Sequence, residues 1–203
     1  MTPKRLFDVA GALLGLVLLS PLLVAVAVAV KLGSPGPVFY RQVRVGLHGR
    51  EFRIHKFRTM RVHDGEGPQV TAAHDSRITP LGRTLRRYKL DELPQFLDVL
   101  AGNMSLVGPR PEVPRYMAKY PDDVRARILS VRPGITDNAA IAFRDEERML
   151  AGAQDVERTY VEQIMPLKAR YYLDYVKEHS LAGDVLILAR TFKAMASRQD
   201  RWK

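Results

Sequence analysis

The sequence predicts a mostly helical α/β protein with a small β-hairpin, carried on an N-terminal membrane helix. Three observations predict it. Residues 9–30 are uncharged and nearly all apolar. Residues 38–45 (VFYRQVRV) and 51–60 (EFRIHKFRTM) are rich in β-branched and aromatic residues and flank the turn Gly46-Leu47-His48-Gly49. The remainder alternates helical periodicities with Gly/Pro breaks.

Composition narrows the partners. The 203 residues suffice for one domain with a real core, or a small domain plus an appendage. The 32 Lys+Arg against 22 Asp+Glu give a net charge of +10, which suits nucleic acid, an anionic membrane surface or a phosphorylated substrate. The chain has no cysteine, so disulfides, thiolate zinc sites and a cysteine nucleophile are excluded. Its histidines show no HExxH or close metal-ligand spacing, which argues against histidine-bound zinc.

The apolar run has 22 residues, enough for a straight helix to cross a bilayer core of ~30 Å. It exceeds the roughly 7–15 residues of a signal-peptide core, despite the basic residues before it. A spanning helix and a re-entrant hairpin remain. Pro21 lacks an N–H and its ring meets the carbonyl of Val17, so a kink is expected at Ser20-Pro21, where Ser20 can bond back to the preceding turn. Lys4 and Arg5 precede the run and Lys31, Arg41, Arg44 and Arg50 follow it. Two basic flanks orient no spanning helix, whereas a hairpin with both ends on one face removes the conflict. On pattern alone the kinked spanning helix is the commoner outcome. Gly33-Ser34-Pro35-Gly36-Pro37 then breaks the helix, placing a boundary between a membrane segment, 1–34, and a second domain, 35–203.

In the second expected strand Lys56 and Arg58 flank Phe57 and share a face. Residues 63–79, with Gly65, Gly67 and Pro68, read as a mobile loop. Residues 80–88 form a short basic helix on which Arg83, Arg86 and Arg87 cluster. Then comes an isolated acidic pair, Asp91-Glu92. Leu93, Phe96, Leu97 and Leu100 follow with the spacing of a buried helix face, so Asp91 reads as an N-cap, worth about 1 kcal/mol. The positive end of that helix also favours ionised carboxylates and a nearby phosphate. Such a pair among so many cations points to a metal ion and phosphates. Gly102-Asn103 ends the helix. Pro109 and Pro111 stiffen the loop around Arg110, whose planar fork suits bidentate phosphate binding.

Further on, 113–130 reads as helix, 131–136 as a turn into a short extended piece, and Asp145-Glu146-Glu147 as a solvated acidic run. Residues 155–178 and 181–195 read as two helices. The last is apolar on most sides, which fits buried core or a membrane interface, and it is too short to span.

Taken in order, several stretches resemble the bacterial sugar transferase family, the small monotopic polyprenyl-phosphate phosphoglycosyl transferases. They are Lys4-Arg5-Leu6-Phe7-Asp8, the run broken at Ser20-Pro21, Gly36-Pro37-Val38-Phe39-Tyr40-Arg41-Gln42, and Lys56-Phe57-Arg58-Thr59-Met60. Leu90-Asp91-Glu92-Leu93-Pro94-Gln95, the stretch from Met104 to Glu112, and Arg132-Pro133-Gly134-Ile135-Thr136 complete the set. The resemblance implies a re-entrant membrane helix under a domain on the cytoplasmic face of the bacterial inner membrane. It implies transfer of a sugar phosphate from a nucleotide sugar, usually a UDP-sugar, to polyprenyl (undecaprenyl) phosphate, with nucleoside monophosphate released. By the same resemblance Asp91 is the nucleophile, forming a covalent aspartyl–phosphosugar intermediate. Glu92, with Asp91 beside it, would face Mg²⁺. Arg86 and Arg110 match phosphate- and nucleotide-contacting arginines, and Lys56 and Arg58 are further substrate-binding candidates. The chemistry agrees with the residues: metal and guanidinium groups neutralise a diphosphate, and a carboxylate nucleophile divides the transfer into two steps, with ping-pong kinetics. The basic surface would also favour anionic lipids.

The chain departs from the family where many members read Gly-Trp-Ala-Gln. Here Asp137-Asn138-Ala139-Ala140 follows the Pro-Gly-Ile-Thr turn, which leaves the sugar open. Two rivals stand beside this reading. A non-enzymatic, membrane-anchored basic module explains charge and anchor but gives the acidic pair no role, and no stacking or groove-reading motif supports nucleic acid. A Mg²⁺-dependent phosphohydrolase would use the same site.

Overall fold

The computed structural model describes residues 1–61 and 75–197. Helix α1 (Pro3–Gly33) is followed by β1 (Phe39–Tyr40), β2 (Val43–Val45), β3 (Glu51–Arg53), β4 (Lys56–Phe57) and α2 (Pro80–Arg87). A 3₁₀ turn (Leu90–Gln95) leads into α3 (Phe96–Leu100) and β5 (Ser105–Val107). Then come α4 (Pro114–Met117), α5 (Asp122–Ile128), β6 (Gly134–Thr136), α6 (Asn138–Ala142) and α7 (Glu146–Leu150). Helix α8 (Val156–Thr159), a π turn (Tyr160–Ile164), α9 (Met165–Glu178) and α10 (Leu181–Ala196) complete the chain.

Helix α1 is one continuous helix with Pro21 inside it, and it is long and apolar enough to cross a membrane. Ser20 Oγ donates to the Val17 carbonyl at 2.8 Å, the carbonyl that Pro21 cannot serve. Leu13, Leu14, Val17, Leu18, Val24 and Val28 are exposed along it. Its other side packs on the rest of the chain. Ala12 joins a core with Val99, Met104 and Val107, and Val26 and Val30 join one with Phe57 and Leu85. Both ends carry polar ties. Lys4 Nζ lies 2.6 Å from Asp184 Oδ2, and Arg5 donates to the carbonyls of Val99 and Leu100. Asp8 accepts from Leu106 N and Ser105 Oγ.

The expected hairpin forms as two short antiparallel ladders, β1 with β4 and β2 with β3, around the Gly46-to-Gly49 turn. A parallel pair, β5 with β6, was not legible in the sequence. It depends on close approach: a Cβ on Gly134 would lie 2.1 Å from Gly108 N, so only glycine fits.

Several expectations are corrected. Asp91 is not an N-cap. Lys89 holds that place in the left-handed conformation (φ 56°, ψ 21°), and the acidic pair lies inside the 3₁₀ turn. The buried face of this segment is Pro94, Gln95, Asp98 and Val99, whereas Leu97 is exposed, because the turn packs against β4 and the short helix against α1. Residues 113–130 split into α4 and α5 at Pro121, which has no N–H to continue a helix. The run 145–147 is not simply solvated, since Glu146 pairs with buried Lys168. The expected 155–178 helix is helical throughout but widens into a π turn just before Pro166. Most of the expected loop at 63–79 lies outside the described residues. Its end is fixed by a Met60–Ile78 bridge and a bond from Thr79 N to Thr59 O.

Candidate active site

The left-handed Lys89, at a cost on the order of 1 kcal/mol, turns the chain sharply out of α2. The 3₁₀ turn that follows carries Asp91 and Glu92 against β4, where Lys56 waits. Asp98, fully buried, pins this arrangement by accepting from His55 N at 2.8 Å and lying 2.8 Å from His55 Nδ1. The loop after β5 brings Arg110 in from the other side.

Lys56 Nζ lies 2.8 Å from Asp91 Oδ2 and 3.4 Å from Glu92 Oε1. Arg110 grips both oxygens of Glu92, Nη1 to Oε2 at 3.0 Å and Nη2 to Oε1. Burial pushes the Glu92 carboxyl up, but Arg110, Lys56 and Lys89 together hold it well below the usual carboxylate range. The same pairing raises Arg110 further. Asp91 is 1% exposed and its Oδ1 has no hydrogen-bond partner among the described residues.

All six residues singled out by the sequence, Lys56, Arg58, Arg86, Asp91, Glu92 and Arg110, line one cavity of about 1130 Å³. Arg58 is placed differently from the rest. It is buried, and its guanidinium donates to the carbonyls of Val30, Ser34 and Pro35, closing the C-terminal end of α1. That role was not anticipated.

Three kinds of side chain line the cavity. Arg61, Arg77, Arg86 and Lys89 are cationic, with Arg77 paired to Asp75. Leu106, Ile135, Leu188, Phe192 and Met195, from β5, β6 and α10, are apolar. Glu112, Tyr116, Glu146, Tyr160, Lys168 and Tyr172 form a polar wall linked by the Tyr160–Glu112 and Lys168–Glu146 contacts. Sequence reasoning missed most of that wall. One signal was available: Met165, Lys168, Ala169, Tyr172 and Tyr175 share the buried face of α9, so a lysine interrupts an otherwise uncharged stripe. Asp137 lies just behind the site. It caps α6 by accepting from Ala140 N at 2.7 Å, and burial pushes its carboxyl up to about 6.

The donor set can be tested for Mg²⁺. No cluster of three His, Asp or Glu side chains occurs among the described residues, so those residues by themselves form no carboxylate and imidazole cage. Mg²⁺ asks for less: one or two carboxylates, with water and substrate phosphates filling the octahedron. Ionised Glu92, with the buried Asp91 carboxylate beside it, fits that demand.

Fold and site together describe a protein that can hold an anion over an acidic pair, next to a long apolar helix. The chain belongs to the bacterial sugar transferase family, whose model matches residues 1–198. It is 43% identical over 193 residues to the UDP-glucose:undecaprenyl-phosphate glucose-1-phosphate transferase of Xanthomonas campestris pv. campestris, covering 93% of this chain and 37% of that one. The enzyme of the same description from Caulobacter vibrioides is 38% identical, with 98% of this chain and 72% of the relative covered. A UDP-N-acetylgalactosamine-undecaprenyl-phosphate N-acetylgalactosaminephosphotransferase of Aeromonas hydrophila is 37% identical, with 95% and 43% covered. The chain thus spans about two-fifths of the Xanthomonas and Aeromonas relatives.

Proposed function

We propose that the chain transfers a sugar-1-phosphate from a UDP-sugar to undecaprenyl phosphate, through a covalent intermediate on Asp91. The observation that carries the reading is the half-engaged Asp91 carboxylate in the cavity lining: Oδ2 is held by Lys56, and buried Oδ1 has no hydrogen-bond partner among the described residues.

In the first step Asp91 Oδ1 attacks the sugar-bearing phosphorus. The bond from that phosphorus to the bridging oxygen breaks, and UMP leaves with the bond's electron pair. In the second, an oxygen of the lipid phosphate attacks the same phosphorus, and the bond to Asp91 breaks, restoring the carboxylate. Lys56 orients Asp91, and Lys56 and Arg110 offset phosphate charge in a water-poor site. Arg86 is among the cations that line the cavity, which suit a nucleotide diphosphate. Mg²⁺ held by Glu92 and Asp91 would neutralise the diphosphate. The apolar part of the lining suits the first isoprene units of the lipid.

We also infer that α1 enters and leaves the membrane on one face. A helix of 31 residues is roughly 46 Å long if straight, yet its first residues are tied to α3 and α10 and its last carbonyls to Arg58. Polar ties at both ends to one domain favour re-entry over crossing. That domain then faces the cytoplasm of the inner membrane, in keeping with its basic charge and anionic lipids.

The test is incubation of purified protein with a UDP-sugar, Mg²⁺ and undecaprenyl phosphate. UMP release is expected. Without lipid, a sugar-phosphate adduct should form on the wild type and not on Asp91→Asn. Full turnover by Asp91→Asn would defeat the nucleophile assignment.

A further inference from the structure

We propose that Lys89 binds substrate, its ammonium taking a phosphate oxygen of the nucleotide donor or of the lipid acceptor. The inference rests on the transferase reading and adds to it a residue with no part in the two steps so far.

Two independent observations point there. The first is backbone strain. Lys89 lies in the left-handed region (φ 56°, ψ 21°), which glycine and asparagine enter more cheaply than a long side chain does. Among the described residues the chain meets positive φ with glycine at Gly36, Gly49 and Gly102, and otherwise only with His48 and Lys89. His48 lies in the Gly46-to-Gly49 turn, outside the cavity lining, whereas Lys89 is part of that lining. Strain kept at a cavity wall points to a side chain that is needed there.

The second is an ammonium with nothing to hold. Among the described residues Lys89 makes no ion pair and no side-chain hydrogen bond. The carboxylates that follow it are engaged by other cations, Asp91 by Lys56 at 2.8 Å and Glu92 by Arg110 at 3.0 Å. Lys89 is exposed, so its ammonium is open to a solute in the cavity. It does help to hold Glu92 ionised, through space and without contact. That is the rival role to be separated from phosphate binding.

The backbone fixes where Lys89 stands. Its N–H donates to the Arg86 carbonyl at 3.2 Å, and Glu92 N donates to the Lys89 carbonyl at 3.3 Å. One tight turn therefore links three lining residues, Arg86, Lys89 and Glu92. A lysine has a flexible stem and three rotating donors. It serves a phosphate as a point charge, where an arginine fork needs a fixed geometry.

The experiment compares wild type with Lys89→Asn and Lys89→Arg in detergent. Asparagine tolerates the left-handed turn and removes the charge, and arginine restores the charge. Thermal unfolding is measured first. Calorimetry then gives the Kd of UDP, which carries both donor phosphates and no sugar, and turnover gives the KM of undecaprenyl phosphate. Lys89→Asn should unfold at or above the wild-type temperature, because the turn is relaxed. It should weaken at least one of the two constants roughly tenfold, the size of a lost charge-assisted hydrogen bond, and Lys89→Arg should recover most of that loss. A loss confined to UDP assigns the donor diphosphate, and one confined to the lipid assigns the acceptor phosphate. A loss of both assigns a position that the two phosphates occupy in turn. If both constants stay within about twofold of wild type, the inference fails, and a fall in kcat alone leaves Lys89 as support for Glu92. An unfolding temperature well below wild type makes the ammonium a structural partner and overturns the inference as well. UDP binding needs no turnover. A wild type that turns over no UDP-sugar defeats the transferase reading, and UDP affinity then decides this inference by itself.

Discussion

Lys56 Nζ bridges two neighbouring carboxylates, 2.8 Å from Asp91 Oδ2 and 3.4 Å from Glu92 Oε1. It fixes one oxygen of Asp91, and the other has no hydrogen-bond partner among the described residues. Replacing it by Met should leave two adjacent carboxylates without that shared cation and free the Asp91 side chain to rotate. We expect Lys56→Met to cut kcat by roughly 10²–10³, with partial recovery in Lys56→Arg, read as UMP release. A kcat within about twofold of wild type would remove Lys56 from the reaction.

The Arg110–Glu92 pair sets the acid behaviour of the site. Burial alone would raise Glu92, but Arg110, Lys56 and Lys89 hold it well below its usual range. A depressed carboxyl contributes stability above its unfolded pKa of about 4.3 and loses it only as pH falls through the folded value. The pair therefore stays ionised through mildly acid pH. In Arg110→Met the desolvation remains and its largest offset is gone. We expect a stability loss of about 3–5 kcal/mol at neutral pH, and an acid limb in the rate profile that moves to higher pH than in wild type. A profile that keeps the wild-type shape would contradict this account.

Asp137 behaves in the opposite sense. Its carboxyl is pushed up to about 6 by burial, against an unfolded value of about 3.9. The folded protein therefore holds the extra proton between those values, so stability falls as pH rises from about 4 to about 6 and then levels. Asn caps a helix as well as Asp and carries no charge. We expect Asp137→Asn to be more stable than wild type by up to about 2 kcal/mol at pH 8, the difference vanishing toward pH 4. Thermal unfolding across that range measures it. Equal gains at both ends would exclude titration of this group.

Arg58 closes the last turn of α1 through the carbonyls of Val30, Ser34 and Pro35. Lysine has no planar fork to span them, so Arg58→Lys should lose about 2 kcal/mol by thermal unfolding in detergent. For topology, cysteines placed at residues 2 and 36 of this cysteine-free chain should react with an impermeant reagent from the same side of sealed vesicles. Opposite-side labelling would sink the re-entrant reading.

Much of the site was legible because its signals are local. The apolar run, the Gly46-to-Gly49 turn and the acidic pair amid cations are all written within a few residues. The six named residues do line one cavity. What Arg58 meets was not legible, because strand alternation says which side a residue faces and not what lies there. Its partners are the carbonyls of a helix end more than twenty residues earlier.

The sequence by itself determined that a long apolar helix precedes a basic stretch of chain, and it singled out Asp91, Glu92 and Arg110, which the fold brings to one cavity. Periodicity, turn residues and charge are properties of neighbours along the chain. Only the tertiary structure decided that Lys56 bridges the carboxylates, that Glu146 is a buried partner of Lys168, and that both ends of α1 are tied to one domain. Those relations join residues far apart in sequence. They follow from burial, which forces each charge removed from water to find an opposite one wherever the fold brings it.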